Sequence, residues 1–325
     1  MHRYTLQPYK GTNSRYHCPA CRHRSKTFSR YIDTETNQQL HPDVGRCSRE
    51  INCGYHYKPG QYFKDNDMPA APPTYRPQPV QYKPTSYIPK DVFTASLKHY
   101  HDNHLVQYLL HLLGAKVAGQ LADRYHIGTS KHWPGATVFW QVDAQGHVRT
   151  GKVMLYNPAT GKRVREPYNH ISWAHTVLQL PDYNLRQCLF GEHLLPHTSK
   201  PIAITESEKT ALIGSAYMPQ YTWLAAGSLS SLTPARCNVL KGRRVILFPD
   251  LNAHEKWTAK ARELSHVANI LVSDALELAA TDEERAKGWD VGDYLVGRRR
   301  EATYGVHGEP VILYLSKDES MIADT

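Results

Sequence analysis

Pro201-Ile202-Ala203-Ile204-Thr205-Glu206-Ser207-Glu208-Lys209-Thr210-Ala211-Leu212-Ile213 is the stretch on which the fold turns. Ile202, Ala203 and Ile204 are apolar, and two of them are β-branched. At Glu206 the pattern becomes polar, and apolar residues resume at helical spacing through Ala211, Leu212 and Ile213. The run reads as strand, tight turn, helix. In an open α/β sheet, side chains at the C-terminal ends of the strands project into the crevice where ligands bind. Glu206 is therefore the first active-site candidate.

Working outward, Thr222 to Ser228 reads as a second strand closed by a glycine turn. Arg243 to Asn252 reads as a third strand ending in Asp250, followed by a helix from Trp257 to Val267. Ile270-Leu271-Val272 is a fourth strand, and Trp289-Asp290-Val291-Gly292-Asp293-Tyr294-Leu295 comes after it. Strands alternating with helices imply a parallel sheet with right-handed crossovers. A lone acid at a strand end is usually a helix cap. Glu206, Asp250 and Asp290 or Asp293, recurring in order, can instead converge on one crevice. They offer the hard oxygens that Mg²⁺ prefers, with the Asn252 carbonyl as a further, weaker donor. Such an ion can hold phosphates while a carboxylate handles a proton.

The 325 residues leave room for two or three domains and a substantial core. The formal charge of +9 suggests a polyanionic partner. Residues 1–66 hold 11 Lys and Arg against 5 Asp and Glu, so the basicity is concentrated there. No apolar run is long enough to span a membrane, and the first residues carry no apolar signal region, so the cytoplasm is the expected location.

That compartment favours metal over disulfides for clustered cysteines. Cys18-Pro19-Ala20-Cys21, followed by Cys47 and Cys53, sets two thiolate pairs across a β-rich stretch. The pattern is that of a zinc ribbon with a tetrahedral structural Zn²⁺. His17, His23 and His56 are possible substitutes for one ligand, and Cys188 and Cys237 stand alone as core residues. Arg22, Arg24, Lys26, Arg30 and Arg46 lie among Tyr16, Phe28, Tyr31, Tyr55 and Tyr57, a mixture suited to single-stranded nucleic acid. Some of those rings are also expected to cover the small core around the zinc.

Prolines from Pro59 to Pro89 forbid a helix and favour an extended linker, with Tyr62, Tyr75, Tyr82 and Tyr87 between them. From Asp91, taken as an N-cap, two helices break near residues 101–103 and end at Gly114. A third helix follows over about 115–125, then a hairpin of 136–140 and 148–156 around Asp143-Ala144-Gln145-Gly146. Its second strand and the next turn carry Arg149, Lys152, Lys162, Arg163 and Arg165, a basic sheet edge suited to a phosphate track.

Ile204-Thr205-Glu206 with Glu208-Lys209, then Leu247-Phe248-Pro249-Asp250 with Asn252, then Asp290-Val291-Gly292-Asp293-Tyr294-Leu295 resembles the Toprim domain of bacterial primases, topoisomerases and certain nucleases. The order of zinc ribbon, linker, Gln107-Tyr108-Leu109 through Gly128, and hairpin is similar to bacterial-type primase cores. It is closest to the abbreviated primase-like proteins of plasmids, phages and Bacteroides-type mobile elements. The resemblance implies an α/β Toprim domain (198–300, Rossmann-like parallel sheet) behind a zinc β-ribbon (1–66), a Pro-rich linker (67–90) and a small α+β basic subdomain (91–197). A C-terminal strand and tail (301–325) follow.

It also implies Glu206 as acid/base or ligand, Asp250 and residue 252 as metal ligands with Asp290 and Asp293, and Lys209 among the nucleic-acid contacts. The expected function is primer synthesis on single-stranded DNA from nucleoside triphosphates. The expected cofactors are Mg²⁺ or Mn²⁺ at the acids and Zn²⁺ in the ribbon, and the expected partner is a separate helicase or replication protein, since no GxxxxGK[ST] loop is present. Two other readings are a Toprim nuclease and, given Asn252 in place of an acid, a non-catalytic DNA-binding module.

Overall fold

A computed structural model describes residues 3–68 and 83–302, with the side chains of 298–302 left out. The linker residues 69–82, with Tyr75 and Tyr82, and the expected strand and tail beyond 302 lie outside the described residues. The chain divides into two compact units at Tyr82 and Lys83.

The first unit is a four-stranded antiparallel sheet in the order β1 (Tyr4–Leu6), β2 (Phe28–Asp33), β3 (Gly45–Cys47), β4 (His56–Tyr57), followed by α1 (Pro59–Asp65). With so few apolar residues, its centre is Phe28 together with Cys18 and Cys47, all buried. Gly45 faces Phe28, and a Cβ there would lie 2.5 Å from the Phe28 ring and 2.2 Å from the Ser29 carbonyl oxygen. Only glycine permits that approach. Pro59 does not exclude a helix: it occupies the first helical position, where its missing N–H has no intrahelical partner to lose.

The second unit starts with α2 (Lys90–Ser96), α3 (His104–Leu113) and α4 (Ala115–Arg124). Pro89, rather than Asp91, is the N-cap of α2, and the Asn103 side chain caps α3 by accepting from Val106 N at 3.2 Å. An antiparallel meander follows, in the order β5 (Ile127–Ser130), β6 (Ala136–Val142), β7 (Val148–Met154), β8 (Ile171–Trp173), with the short α5 (Ala174–Val177) after it.

Next come β9 (Ile202–Thr205), α6 (Glu208–Tyr217), β10 (Thr222–Ala225), α7 (Pro234–Cys237), β11 (Arg244–Leu247), α8 (His254–Leu264), β12 (Asn269–Val272), α9 (Ala275–Ala279), α10 (Asp282–Lys287) and α11 (Val291–Ala302). The four strands form one fully parallel sheet in the order β10-β9-β11-β12. Every residue of β9 and β10 is buried, as the continuous apolar run predicts for strands covered on both faces. The chain winds outward from β9 to β10 and then crosses to β11 on the other side. The C-terminal ends of β9 and β11 therefore flank the point where winding reverses, and this places the crevice.

The helical segment and the parallel sheet share one core. Leu105, Leu109, Leu121, Tyr125 and Phe139 pack with Ala211, Leu212, Trp223 and Val291. Tyr125 donates its hydroxyl to the Trp223 carbonyl oxygen at 3.0 Å, and Phe190 bridges to Ala225 beyond β10. No described helix is long and apolar enough to cross a membrane.

Candidate functional site

One cavity of about 1180 Å³ opens at the switch point of the parallel sheet. Its lining includes the acids Glu206, Glu208, Asp250, Asp290 and Asp293 and the cations Lys152, Lys162, Arg163, Arg165 and Lys209. Glu206 follows β9 directly, and Asp250 stands three residues beyond β11, where Phe248 N still pairs with the Ile204 carbonyl oxygen at 2.8 Å.

Asp290 and Asp293 reach the same place by tertiary packing. Leu251 is buried with Leu276 and Tyr294, and its N–H donates to the Trp289 carbonyl oxygen at 2.9 Å, so the turn after β11 is fixed to the segment entering α11. Asp290 caps α11 by accepting from Asp293 N at 2.9 Å, and its second oxygen accepts from Thr210 Oγ1 of α6 at 2.5 Å. Asp293 has Lys209 Nζ at 3.7 Å.

The carboxylates of this lining repel one another. Burial, then the charges of Asp290, Glu206 and Asp293, push the Asp250 carboxyl up from 3.8 to about 8. Burial and Asp290 raise Asp293 as well, while Lys209 opposes the shift. Among the described residues, only the four cysteines and the exposed set His99, His101 and Asp102 form groups whose ligand atoms lie within 4.8 Å of one another. A hard divalent ion would relieve the repulsion that raises Asp250, and the oxygen-only donor set fits Mg²⁺ or Mn²⁺.

Several expected contacts are used elsewhere. Asn252 does not face the cavity. It adopts a left-handed backbone conformation with φ of 67°, which asparagine tolerates, and its Nδ2 donates to the Arg285 carbonyl oxygen at 2.9 Å. Asn252 serves the turn, so the acid it replaces is not one this cavity lacks. Arg149 donates to the buried Asp143 at 2.6 Å and lies over the Tyr87 ring, away from the acids. Lys152 does line the cavity, yet both Glu208 oxygens take up its ammonium at 3.1 and 3.2 Å. Lys162, Arg163 and Arg165 are exposed and form no ion pair among the described residues.

Sequence reasoning quoted Glu208 without assigning it a place in the site, and it passed over Thr210. Glu208 opens α6 and Thr210 follows two positions later. Their position one helical turn from Glu206 was the available signal.

In the first unit, Cys18, Cys21, Cys47 and Cys53 form one cluster. Cys18 Sγ and Cys53 Sγ are 3.7 Å apart, close to the edge of about 3.8 Å of a tetrahedron with Zn–S bonds of about 2.3 Å. The His23 backbone N–H lowers the Cys21 thiol to about 7, which favours the thiolate that binds metal. The histidines stay outside the cluster: His17 pairs with the His23 carbonyl oxygen and His56 with the Tyr31 hydroxyl. The thiol donor set fits a structural zinc ion.

Of the expected ribbon contacts, Arg30 is drawn to the Pro42 carbonyl oxygen, Gln39 and the Tyr16 ring, and Arg46 pairs with Glu50. Arg22, Arg24 and Lys26 remain exposed. Cys188 and Cys237 are buried thiols in the second unit.

Residues 2–68 match the family model of a zinc beta-ribbon finger, and residues 103–251 match that of a domain of unknown function (DUF6371). No curated protein matches the chain. Among solved structures, the chain is similar to the primase fragment of the bacteriophage T7 primase-helicase protein. The identity is 16% over 84% of this chain and 99% of that one, with a TM-score of 0.34. The DnaG catalytic core is similar at 11% identity over 66% and 83% of the two chains, with a TM-score of 0.41. The zinc-binding and RNA polymerase domains of the Aquifex aeolicus primase are similar at 14% identity over 92% and 84%, with a TM-score of 0.35. The chain is thus similar to a zinc ribbon finger over its first unit and, at low identity, to primase structures over most of its length.

Proposed function

We propose that this chain is a primase-like enzyme of Toprim type, which joins nucleoside triphosphates into a primer on single-stranded DNA. The reading rests on one observation: the acids Glu206, Asp250, Asp290 and Asp293 and the cations Lys162, Arg163, Arg165 and Lys209 line one cavity at the switch point of the sheet. An acidic wall alone suits a cation, and a basic wall alone suits a polyanion. Both in one cavity suit a triphosphate held by a divalent ion and guanidinium groups.

Mg²⁺ or Mn²⁺, held by Asp250, Asp290 and Asp293 with Glu206, would supply charge neutralisation of the triphosphate and of the departing pyrophosphate. Glu206 would take the proton of the attacking 3′-hydroxyl. Arg163 and Arg165 bind and orient the phosphates bidentately. Thr210 and the α11 cap hold Asp290 in place. The ribbon would meet the single-stranded template through Arg22, Arg24 and Lys26. Replication of a mobile element, with a separate helicase as partner, is the setting that the order of motifs suggests.

The test incubates single-stranded DNA, labelled triphosphates and Mg²⁺ or Mn²⁺ with the chain and with Glu206→Gln, following both product growth and DNA shortening. Synthesis lost in Glu206→Gln is the expected result. Shortening without triphosphates would replace this reading with a nuclease, and DNA binding with neither activity would leave a binding module.

A further inference from the structure

We propose that Tyr168, backed by His170 and Trp133, is a stacking platform for an unpaired nucleobase of the strand whose phosphates run along Arg163 and Arg165. The inference rests on the nucleic-acid reading above and adds a base contact that neither wall of the cavity supplies. Tyr168 is 55% exposed, yet its ring is not loose. One face lies on the His170 ring, with centroids 4.3 Å apart and planes at 21°. His170 is buried and meets the Trp133 ring edge-on at 5.1 Å.

His170 is also fixed through its backbone, since its N–H donates to the Val164 carbonyl oxygen at 3.4 Å and its carbonyl accepts from Leu155 N at 3.3 Å. The stack therefore ties Tyr168 to the segment of Val164, which lies between Arg163 and Arg165. A ring held on one face and open on the other has already lost the rotamer freedom that a stacking partner would cost it.

Position supplies the second half of the case. Arg165 and Glu166 line the cavity, and Tyr168 follows two residues later, within about 10 Å of chain from Arg165. Arg163 and Arg165 are exposed and in no ion pair among the described residues, so they are available to phosphates. Cations that track a backbone beside a ring that takes a base are the combination by which proteins hold single strands without reading sequence.

The experiment measures fluorescence anisotropy of the full chain with three labelled strands of about 12 nucleotides, a length within usual single-strand site sizes. They are oligothymidylate, oligouridylate and an abasic strand with the same phosphates. Tyr168→Ala is expected to weaken the base-bearing strands by about 5-fold to 100-fold and leave the abasic strand unchanged, while Tyr168→Trp retains wild-type binding. The two base-bearing arms show whether the strand held is DNA or RNA. Unchanged abasic binding also shows that the variant is folded.

Tyr168→Ala binding all three strands like the wild type would overturn the platform. In that case, Arg165→Ala weakening all three would leave the nucleic-acid reading standing. A wild-type chain that binds none of them would overturn both.

Discussion

Breaking the Lys152–Glu208 pair tests how the meander is joined to the parallel sheet. Lys152 leaves β7 and places Nζ 3.1 and 3.2 Å from the two oxygens of Glu208 at the start of α6. Glu208 is only 3% exposed, so Lys152→Met leaves a buried carboxylate without its ion-pair partner. Removing one member of a buried pair costs about 3–5 kcal/mol.

The expected loss in Lys152→Met is therefore about 3–5 kcal/mol. Lys152→Met with Glu208→Gln should recover most of it, because no unpaired charge is then buried. Urea unfolding followed by tryptophan fluorescence is the assay. All six tryptophans lie in the second unit, so the signal reports that unit alone. A single variant no less stable than the double at pH 7 would show that the pair does not hold this junction.

Three further outcomes follow from the site. Asp250 carries its proton in the folded chain up to about pH 8 but loses it near 3.8 when unfolded. Its contribution to stability is thus full below about pH 4 and lost progressively up to about pH 8, and Asp250→Asn should flatten that decline in unfolding measured across the range while weakening Mg²⁺ binding. Asn252→Asp should leave Mg²⁺ affinity unchanged by calorimetry and cost about 1 kcal/mol, since it turns a donor facing the Arg285 carbonyl oxygen into an acceptor. A gain in Mg²⁺ affinity would show that residue 252 reaches the ion. Metal analysis should find about one zinc per chain, falling in Cys47→Ser, and chelation should unfold the first unit, whose core beyond the cysteines is little more than Phe28.

The parallel sheet was legible because its signal is local. Ile202 to Thr205 is a short apolar run bounded by Glu206, and a residue at a strand end needs no knowledge of its neighbours to be placed at the crevice. The same locality exposed the cysteine spacing. What sequence could not show was how side chains are spent. Arg149 and Arg163 look alike in the chain, yet a buried Asp143 consumes the first while the second opens onto the cavity. Charge partners are set by tertiary approach, and a basic run does not record it.

Asn252 shows the same limit from the other side. Two residues beyond Asp250 it looked like a weakened ligand, because spacing was read as though the turn continued the strand. With a left-handed φ of 67°, its side chain instead donates to the Arg285 carbonyl oxygen. Leu251 ties the same turn to Trp289, which brings Asp290 and Asp293 opposite Asp250. One turn therefore explains both the departure at 252 and the recruitment of the distant acids. The charge on Asp250 depends on residues some forty positions away, which is why loosening Leu251 should lower its carboxyl toward the ordinary range even though Leu251 carries no charge.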